Sequence, residues 1–213
     1  MRTLTYLFDP LCGWCYGAGE RLSSALAATG VQLDLLPTGL FSGQGARAMD
    51  DAFAAYAWAN DQRIARLTGQ VFSDRYRGQV LGDRTQPFDS GPATVALTAV
   101  SLEAPQRVFE ALKAIQHARY VDGQDVTRME TLIGLFARIG LTEAASALAE
   151  IDPQLLQATR SRVDRGQALL ARVGAQGVPT FVLEDDGGHR LLHASAIFSN
   201  PQAFAAELGR HAA

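Results

Sequence analysis

Two cysteines lie two residues apart near the amino terminus, at positions 12 and 15, and the chain contains no others. Before them, residues 3–8 alternate between β-prone and apolar types and end at Asp9-Pro10, which predicts a strand that stops where the motif starts. After them, apolar residues recur at helical spacing as far as Gly30, a residue type that often follows the last turn of a helix. The sequence therefore predicts a dithiol at the junction of a strand and a helix.

The rest of the chain divides into three segments by its patterning. In residues 1–40, the strand and helix around the motif are followed by a second strand over 31–37, which completes a βαβ unit. Residues 41–150 form a helical insertion, with helices predicted over 50–68, 72–81, 92–102, 105–120 and 126–139. Residues 151–213 add a helix to about residue 173, a hairpin over 180–193 with its turn at 185–188, and a last helix from Pro201.

Composition and charge exclude several classes of partner. The formal net charge is −3 and charged residues make up 19% of the chain, so there is no basic surface of the kind that nucleic acid requires. No stretch approaches the roughly 18 uninterrupted apolar residues of a membrane span. No secretory leader is recognisable before the first strand either. We expect a cytoplasmic protein without a nucleic-acid or membrane partner.

The chemistry of the motif follows from its place at the start of a helix. Unpaired backbone N–H groups and the positive end of the helix dipole stabilise a thiolate there, which makes Cys12 the attacking sulfur. Cys15, one turn further along, is close enough to resolve a mixed disulfide by attacking Cys12. A cytosol keeps thiols reduced, so an adjacent pair with no other cysteines favours redox chemistry.

Two other interpretations of the pair are half of a zinc site and an inert structural disulfide. Structural zinc generally takes four ligands, often from a second pair of cysteines or from closely spaced histidines. The histidines are at positions 117, 189, 193 and 211, and nothing in the sequence ties them to the motif. We therefore predict no metal and no cofactor beyond the redox-active pair.

A second signal precedes the penultimate strand, where the sequence reads Gly177-Val178-Pro179-Thr180. Proline is tolerated at the first residue of a strand, so this signal by itself indicates only a strand entry. Its position between a helix and a hairpin, together with the dithiol near the amino terminus, makes the combination more specific than either part.

The sequence resembles the DsbA-like branch of the thioredoxin superfamily, and within it the cytoplasmic group of FrnE-like proteins and disulfide isomerases. The resemblance implies an α/β thioredoxin fold interrupted by an all-helical subdomain, with a cis peptide bond before Pro179. It also implies that Cys12 is the nucleophile, that Cys15 resolves, and that Val178 and Pro179 pair with a substrate strand by β-augmentation. The residues that carry it are Asp9-Pro10-Leu11-Cys12-Gly13-Trp14-Cys15-Tyr16-Gly17, Val178-Pro179-Thr180 and Tyr120-Val121-Asp122-Gly123-Gln124-Asp125-Val126.

The residues between the cysteines depart from the strongly oxidising periplasmic relative, which has Pro-His where this chain has Gly13-Trp14. Without the histidine we predict a less oxidising couple, nearer the potential of thioredoxin, about −270 mV, than that of DsbA, about −120 mV. Trp14 is a candidate for substrate contact, with packing on the helix flank as the alternative. For Glu20, a solvated helix face is favoured over a proton acceptor for Cys15. An aromatic-rich stretch over 53–76 is expected to form core or to cap the active-site helix, rather than to form a cofactor pocket.

The leading hypothesis is a thiol-disulfide oxidoreductase that reduces, oxidises or isomerises disulfides through the Cys12–Cys15 pair. Its partners would be cysteine-containing proteins or peptides and low-molecular-weight thiols, with glutathione as a possible redox partner. One alternative is a glutathione-dependent transferase or isomerase of the kappa type, although such relatives generally have a serine in place of the paired cysteines. A redox-sensing binding module without turnover is the other.

Overall fold

The computed structural model describes residues 2–185 and 188–210, and its main sheet has four strands. They are β1 (Thr3–Phe8), β2 (Gln32–Pro37), β5 (Thr180–Asp185) and β6 (Gly188–Leu192), while β3 (Arg47–Ala48) and β4 (Pro87–Phe88) form a separate two-stranded sheet. The order is β2-β1-β5-β6; β1 is parallel to β2 and antiparallel to β5, and β5 is antiparallel to β6. The β5–β6 pairing agrees with the predicted hairpin, and the inner turn residues, 186 and 187, lie outside the described residues.

Helices surround this sheet and make up most of the segment between β2 and β5. They are α1 (Gly13–Thr29), α2 (Asp51–Thr68), α3 (Gly91–Glu103), α4 (Val108–Tyr120), α5 (Met129–Arg138), α6 (Thr142–Ala149), α7 (Pro153–Arg172), α8 (Ala194–Ser199) and α9 (Pro201–Gly209). Short 3-10 turns occur at Gly43–Gly45 and Pro105–Arg107, and one π-helical turn spans Tyr76–Val80.

Local signals explain several of the helix boundaries. The carboxylate of Asp50 accepts a hydrogen bond from the backbone of Phe53, and that of Asp152 accepts one from Leu155, so both cap free N–H groups of a first turn. Gly30 ends α1 at a φ of 64°, in the left-handed region that favours glycine, and its N–H bonds to the carbonyl of Leu26.

The two faces of the sheet are buried by different helices. Alternate residues of β1, Leu4 and Tyr6 among them, belong to the large core that α1 and α9 share, and both are fully buried. Leu7 points to the other face, where Leu36 and Leu169 form a smaller cluster beneath α7. β1 is therefore buried on both faces and paired with a strand on each edge, which fixes the start of the segment that follows it.

The helical segment differs from the prediction in detail. The helix predicted over 72–81 begins only after Ser73, because the backbone N–H of Ser73 donates to the carbonyl of Tyr120 and its hydroxyl accepts from the backbone of Tyr76. Helices α6 and α8 were not predicted at all. The helix predicted over 126–139 is shorter, and β3 pairs with β4 within the segment expected to be helical.

Candidate active site

Cys12 occupies the N-cap of α1 and Cys15 lies in its first turn. The backbone of Cys12 is extended (φ −80°, ψ 116°), and its carbonyl accepts the hydrogen bond from Tyr16 that begins the helix. Both thiols are free. The exposed fraction is 6% for Cys12 and 1% for Cys15, so Cys12 is the more exposed of the two residues.

A buried carboxylate holds the turn that leads into the motif. Asp9 accepts hydrogen bonds from the backbone N–H of Leu11 (2.9 Å) and of Phe41 (3.0 Å) and from the hydroxyl of Ser90 (2.8 Å). Burial raises the pKa of Asp9, and these three donors oppose the rise. The hydroxyl of Tyr120 also donates to the carbonyl of Leu11 at 2.7 Å. Groups beyond β2, outside the βαβ unit, therefore fix the main chain just before Cys12.

The loop before β5 lies against the dithiol. The Sγ atom of Cys12 is 3.7 Å from the carbonyl oxygen of Val178, to which it donates a weak hydrogen bond. The peptide bond between Val178 and Pro179 is cis, as the family resemblance implies. Cys12, Val178 and Pro179 are thus brought together although more than 160 positions of the chain separate them, while their roles in substrate binding stay predictions.

Cys15 is held as a protonated thiol. Burial raises its pKa well above the usual range, and its hydrogen bond and charge interaction with Cys12 raise it further. Tyr6 lies beneath it, and the Tyr6 hydroxyl donates to the backbone carbonyl of Cys15 at 3.2 Å. This arrangement suits a resolving thiol, which must not react with solutes before a mixed disulfide forms at Cys12.

Two glycines allow α2 to approach the first turns of α1 very closely. A Cβ atom built on Gly13 would lie 2.5 Å from the Oδ1 atom of Asp61, and one built on Gly17 would lie 2.5 Å from Cγ2 of Ile64. A side chain at either position would force Asp61 or Ile64 to shift. The glycine between the cysteines therefore leaves room for a side chain from the helical segment.

Asp61 is a functional candidate that the sequence analysis did not identify. Its exposed fraction is 5%, and its Oδ2 atom accepts a hydrogen bond from the hydroxyl of Tyr76 at 2.8 Å. Burial raises the pKa of Asp61 to about 7, although Tyr76 and the positive charge of Arg119 oppose the rise. Arg119 is itself buried, with its guanidinium 5.6 Å from the centre of the Tyr76 ring.

A cavity of about 390 Å³ opens beside Cys12. Its wall combines the start of α1 with aromatic side chains from the helical segment, and part of the predicted aromatic stretch lies there. Phe72 does not line the cavity and packs edge-on against Tyr16 and Tyr120. The lining includes Cys12, Trp14, Phe41, Phe53, Tyr56, Asp61, Tyr76 and Tyr120.

Two side chains of α1, Trp14 and Glu20, differ in how far they are buried. Trp14 is partly buried, with its ring edge-on to Phe198 at 5.1 Å, and it also lines the cavity, so packing and substrate contact are compatible. Glu20 has 69% of its side chain exposed and lies 3.9 Å from Lys113. It is on the solvated face of α1, in agreement with the favoured interpretation.

Neither a metal site nor a membrane-spanning helix is found in the described part of the chain. Within residues 2–185 and 188–210, no three His, Cys, Asp or Glu side chains are grouped so that they could hold a metal ion. His189 instead lies 3.1 Å from Glu184 across the β5–β6 pair. No helix in these ranges is long and apolar enough to cross a membrane.

Comparisons with known proteins agree on one family. Residues 3–207 match the DSBA-like thioredoxin domain family. The structure of the cytosolic disulfide reductase DsbM from Pseudomonas aeruginosa is 35% identical, with a TM-score of 0.85, and the match covers 97% of this chain and 96% of that one. A second structure of DsbM, with GSH, matches at 32% identity and a TM-score of 0.83 over the same shares.

A more distant match concerns the fold alone. The structure of a 2-hydroxychromene-2-carboxylate isomerase is 17% identical, with a TM-score of 0.60, and the match covers 96% of this chain and 95% of the isomerase. No curated protein sequence matches this chain significantly.

Proposed function

Because this chain belongs to the family of DSBA-like thioredoxin domains, we propose that its Cys12–Cys15 pair catalyses thiol-disulfide exchange through a mixed disulfide at Cys12. The family match and the disulfide-reductase neighbour confirm two predictions from the sequence, the α/β thioredoxin fold with a helical subdomain and the thiol-disulfide oxidoreductase class. The observation that carries the proposal is the position of the Cys12 sulfur, at the N-terminus of α1, on the cavity wall and 3.7 Å from the Val178 carbonyl.

The reaction divides into two exchanges. The Cys12 thiolate, stabilised by the free N–H groups at the start of α1, attacks one sulfur of the substrate disulfide. The other sulfur leaves with the electron pair of the broken S–S bond and takes up a proton to become a thiol. Cys15 then attacks the Cys12 sulfur, which releases the second substrate thiol and leaves the Cys12–Cys15 disulfide. The burial that raises the pKa of Cys15 keeps it from competing in the first exchange.

Main-chain groups of the loop before β5 are suited to hold the substrate. The carbonyl of Val178 faces the attacking sulfur, and Pro179 leads directly into β5. An extended peptide that pairs with Val178 would place its own sulfur over Cys12, with hydrogen bonds that depend little on side chains. Trp14 would contact such a peptide from the cavity side.

Glutathione is the low-molecular-weight partner that the site supports best. The cavity beside Cys12, at about 390 Å³, falls within the range of about 300–1,000 Å³ of small-molecule sites. The neighbouring structure of DsbM with GSH supports the same partner, and the description of DsbM as cytosolic supports the cytoplasm as the compartment. We propose that glutathione reduces the Cys12–Cys15 disulfide after each turnover.

The test of this proposal traps the first intermediate. Reduced Cys15→Ser protein is mixed with glutathione disulfide, and intact-mass spectrometry counts the adducts; Cys12→Ser protein is the matched control. We expect one glutathione on Cys12 in the first variant and none in the second. An adduct that survives Cys12→Ser would contradict the proposed nucleophile.

Steady-state reduction of a peptide disulfide with glutathione as reductant then separates the remaining functions. Repeated turnover supports the oxidoreductase. Glutathione binding without reductase activity would favour a glutathione-dependent isomerase. A single oxidation without turnover would favour a redox sensor.

A further inference from the structure

We propose that Asp61 is the general acid of the first exchange, the group that protonates the sulfur leaving the substrate disulfide when Cys12 attacks. The inference rests on the proposed function and adds a catalytic residue from the helical segment. Asp61 lines the cavity together with Cys12, whereas Cys15 is 1% exposed and does not belong to the cavity lining.

Asp61 lies on the wall of the cavity from which a substrate disulfide would reach Cys12. Asp61 and Cys12 line the same cavity, so a substrate disulfide that reaches Cys12 from this side extends past the carboxyl group. The Oδ2 atom is fixed by the hydroxyl of Tyr76 at 2.8 Å, while Oδ1 is turned towards the first turn of α1, directly beside Gly13. One oxygen is thus anchored and the other lies next to the reacting motif.

Burial makes this carboxyl group easier to protonate than a carboxyl group in water, and several titratable or charged groups face it. From α1 it faces the motif that holds Cys12; from the π-helical turn it faces Tyr76; from α4 it faces Arg119 and Tyr120. Burial raises the pKa of Asp61 by more than the Tyr76 hydrogen bond and the Arg119 charge lower it, so the pKa is about 7. An acid with a pKa near the working pH is in its most effective range for proton transfer.

The proposed step balances in atoms and charge. A bond forms between the Cys12 sulfur and the nearer substrate sulfur, the substrate S–S bond breaks, and its electron pair goes to the departing sulfur. That sulfur takes the proton of Asp61 and leaves as a neutral thiol, while Asp61 becomes a carboxylate and is reprotonated from water in the cavity. The substrate disulfide is the oxidant, and the Cys12–Cys15 pair is oxidised in the second exchange.

The test compares leaving groups that need a proton with leaving groups that do not. In the Cys15→Ser background, the rate of adduct formation at Cys12 is measured with glutathione disulfide and with the mixed disulfide of glutathione and 5-thio-2-nitrobenzoate. Loss of a general acid should slow the alkyl disulfide roughly 10²-fold in Asp61→Asn. The rate with the aryl disulfide should stay within about twofold, because a thiolate of low pKa leaves without a proton.

Glu20→Gln, which makes the same change on the exposed face of α1, should leave both rates unaltered. A second measurement uses the Cys15→Ser protein with Asp61 intact. The ratio of its rate with the alkyl disulfide to its rate with the aryl disulfide should fall as the pH rises through about 7. Equal slowing of both substrates by Asp61→Asn would show a structural role and overturn the inference, as would a pH-independent ratio. If Cys12 forms no adduct with either substrate even with Asp61 present, the proposed function itself fails.

Discussion

Replacing Asp61 by asparagine should change how stability depends on pH. Burial raises the pKa of this carboxyl group from its ordinary 3.8 to about 7. The folded protein therefore retains a proton that the unfolded chain releases above about pH 4, and the free energy of unfolding falls as the pH rises from about 4 to about 7. At about 1.4 kcal/mol per pKa unit, this group removes about 3 kcal/mol of stability between about pH 5 and about pH 8.

Asparagine keeps an oxygen that can accept the Tyr76 hydrogen bond but cannot ionise, so Asp61→Asn should escape this loss. Urea unfolding of the reduced wild type and variant at about pH 5 and about pH 8 measures the effect. The stability of the variant relative to wild type should improve by about 3 kcal/mol at the higher pH. Asp164→Asn, which changes an exposed carboxylate on α7, is the control. If the free energies of unfolding of Asp61→Asn and wild type differ by the same amount at both pH values, the reasoning is refuted.

Two further predictions concern the motif and its helix. Gly13→Ala should destabilise the protein by about 1–3 kcal/mol, because its Cβ would overlap Asp61. The control Gly19→Ala, whose Cβ meets nothing within 4 Å, should stabilise α1 by up to about 1 kcal/mol. Equal effects of the two variants in urea unfolding would contradict the close approach of α2. A limiting amount of iodoacetamide should alkylate Cys12 before Cys15 in the reduced protein, because Cys15 is 1% exposed and burial raises its pKa. Peptide mass spectrometry that finds Cys15 modified first would contradict this order of reactivity.

The elements with local signals could be predicted from the sequence. β1 shows a two-residue apolar period and α7 begins with Asp152-Pro153, and both appear with nearly the expected boundaries. α6 was missed because it has eight residues and Leu141 at its N-cap, without a capping side chain. It packs against α3 and α5, so tertiary contacts account for a helix that local signals do not predict.

The site could be predicted only in part for a similar reason. Cys12 and Cys15 are separated by only two residues, and this spacing is typical of a redox-active pair. The family resemblance predicted Val178 and Pro179. Asp61 has no such signal, since an acidic residue in a helix normally faces water. Its burial depends on residues distant in sequence. The one sequence feature that fits this packing is Gly13, since a residue without a Cβ atom leaves room for the carboxyl group.

The most direct test of the account is the redox equilibrium of the Cys12–Cys15 pair. The protein is equilibrated in glutathione buffers of stepped ratio, quenched with acid, and the disulfide fraction is quantified by mass spectrometry. The account predicts a reversible two-electron transition with a potential nearer about −270 mV than about −120 mV. A potential as oxidising as about −120 mV would contradict the predicted effect of Gly13-Trp14. The absence of any reversible Cys12–Cys15 disulfide would contradict the mechanism itself.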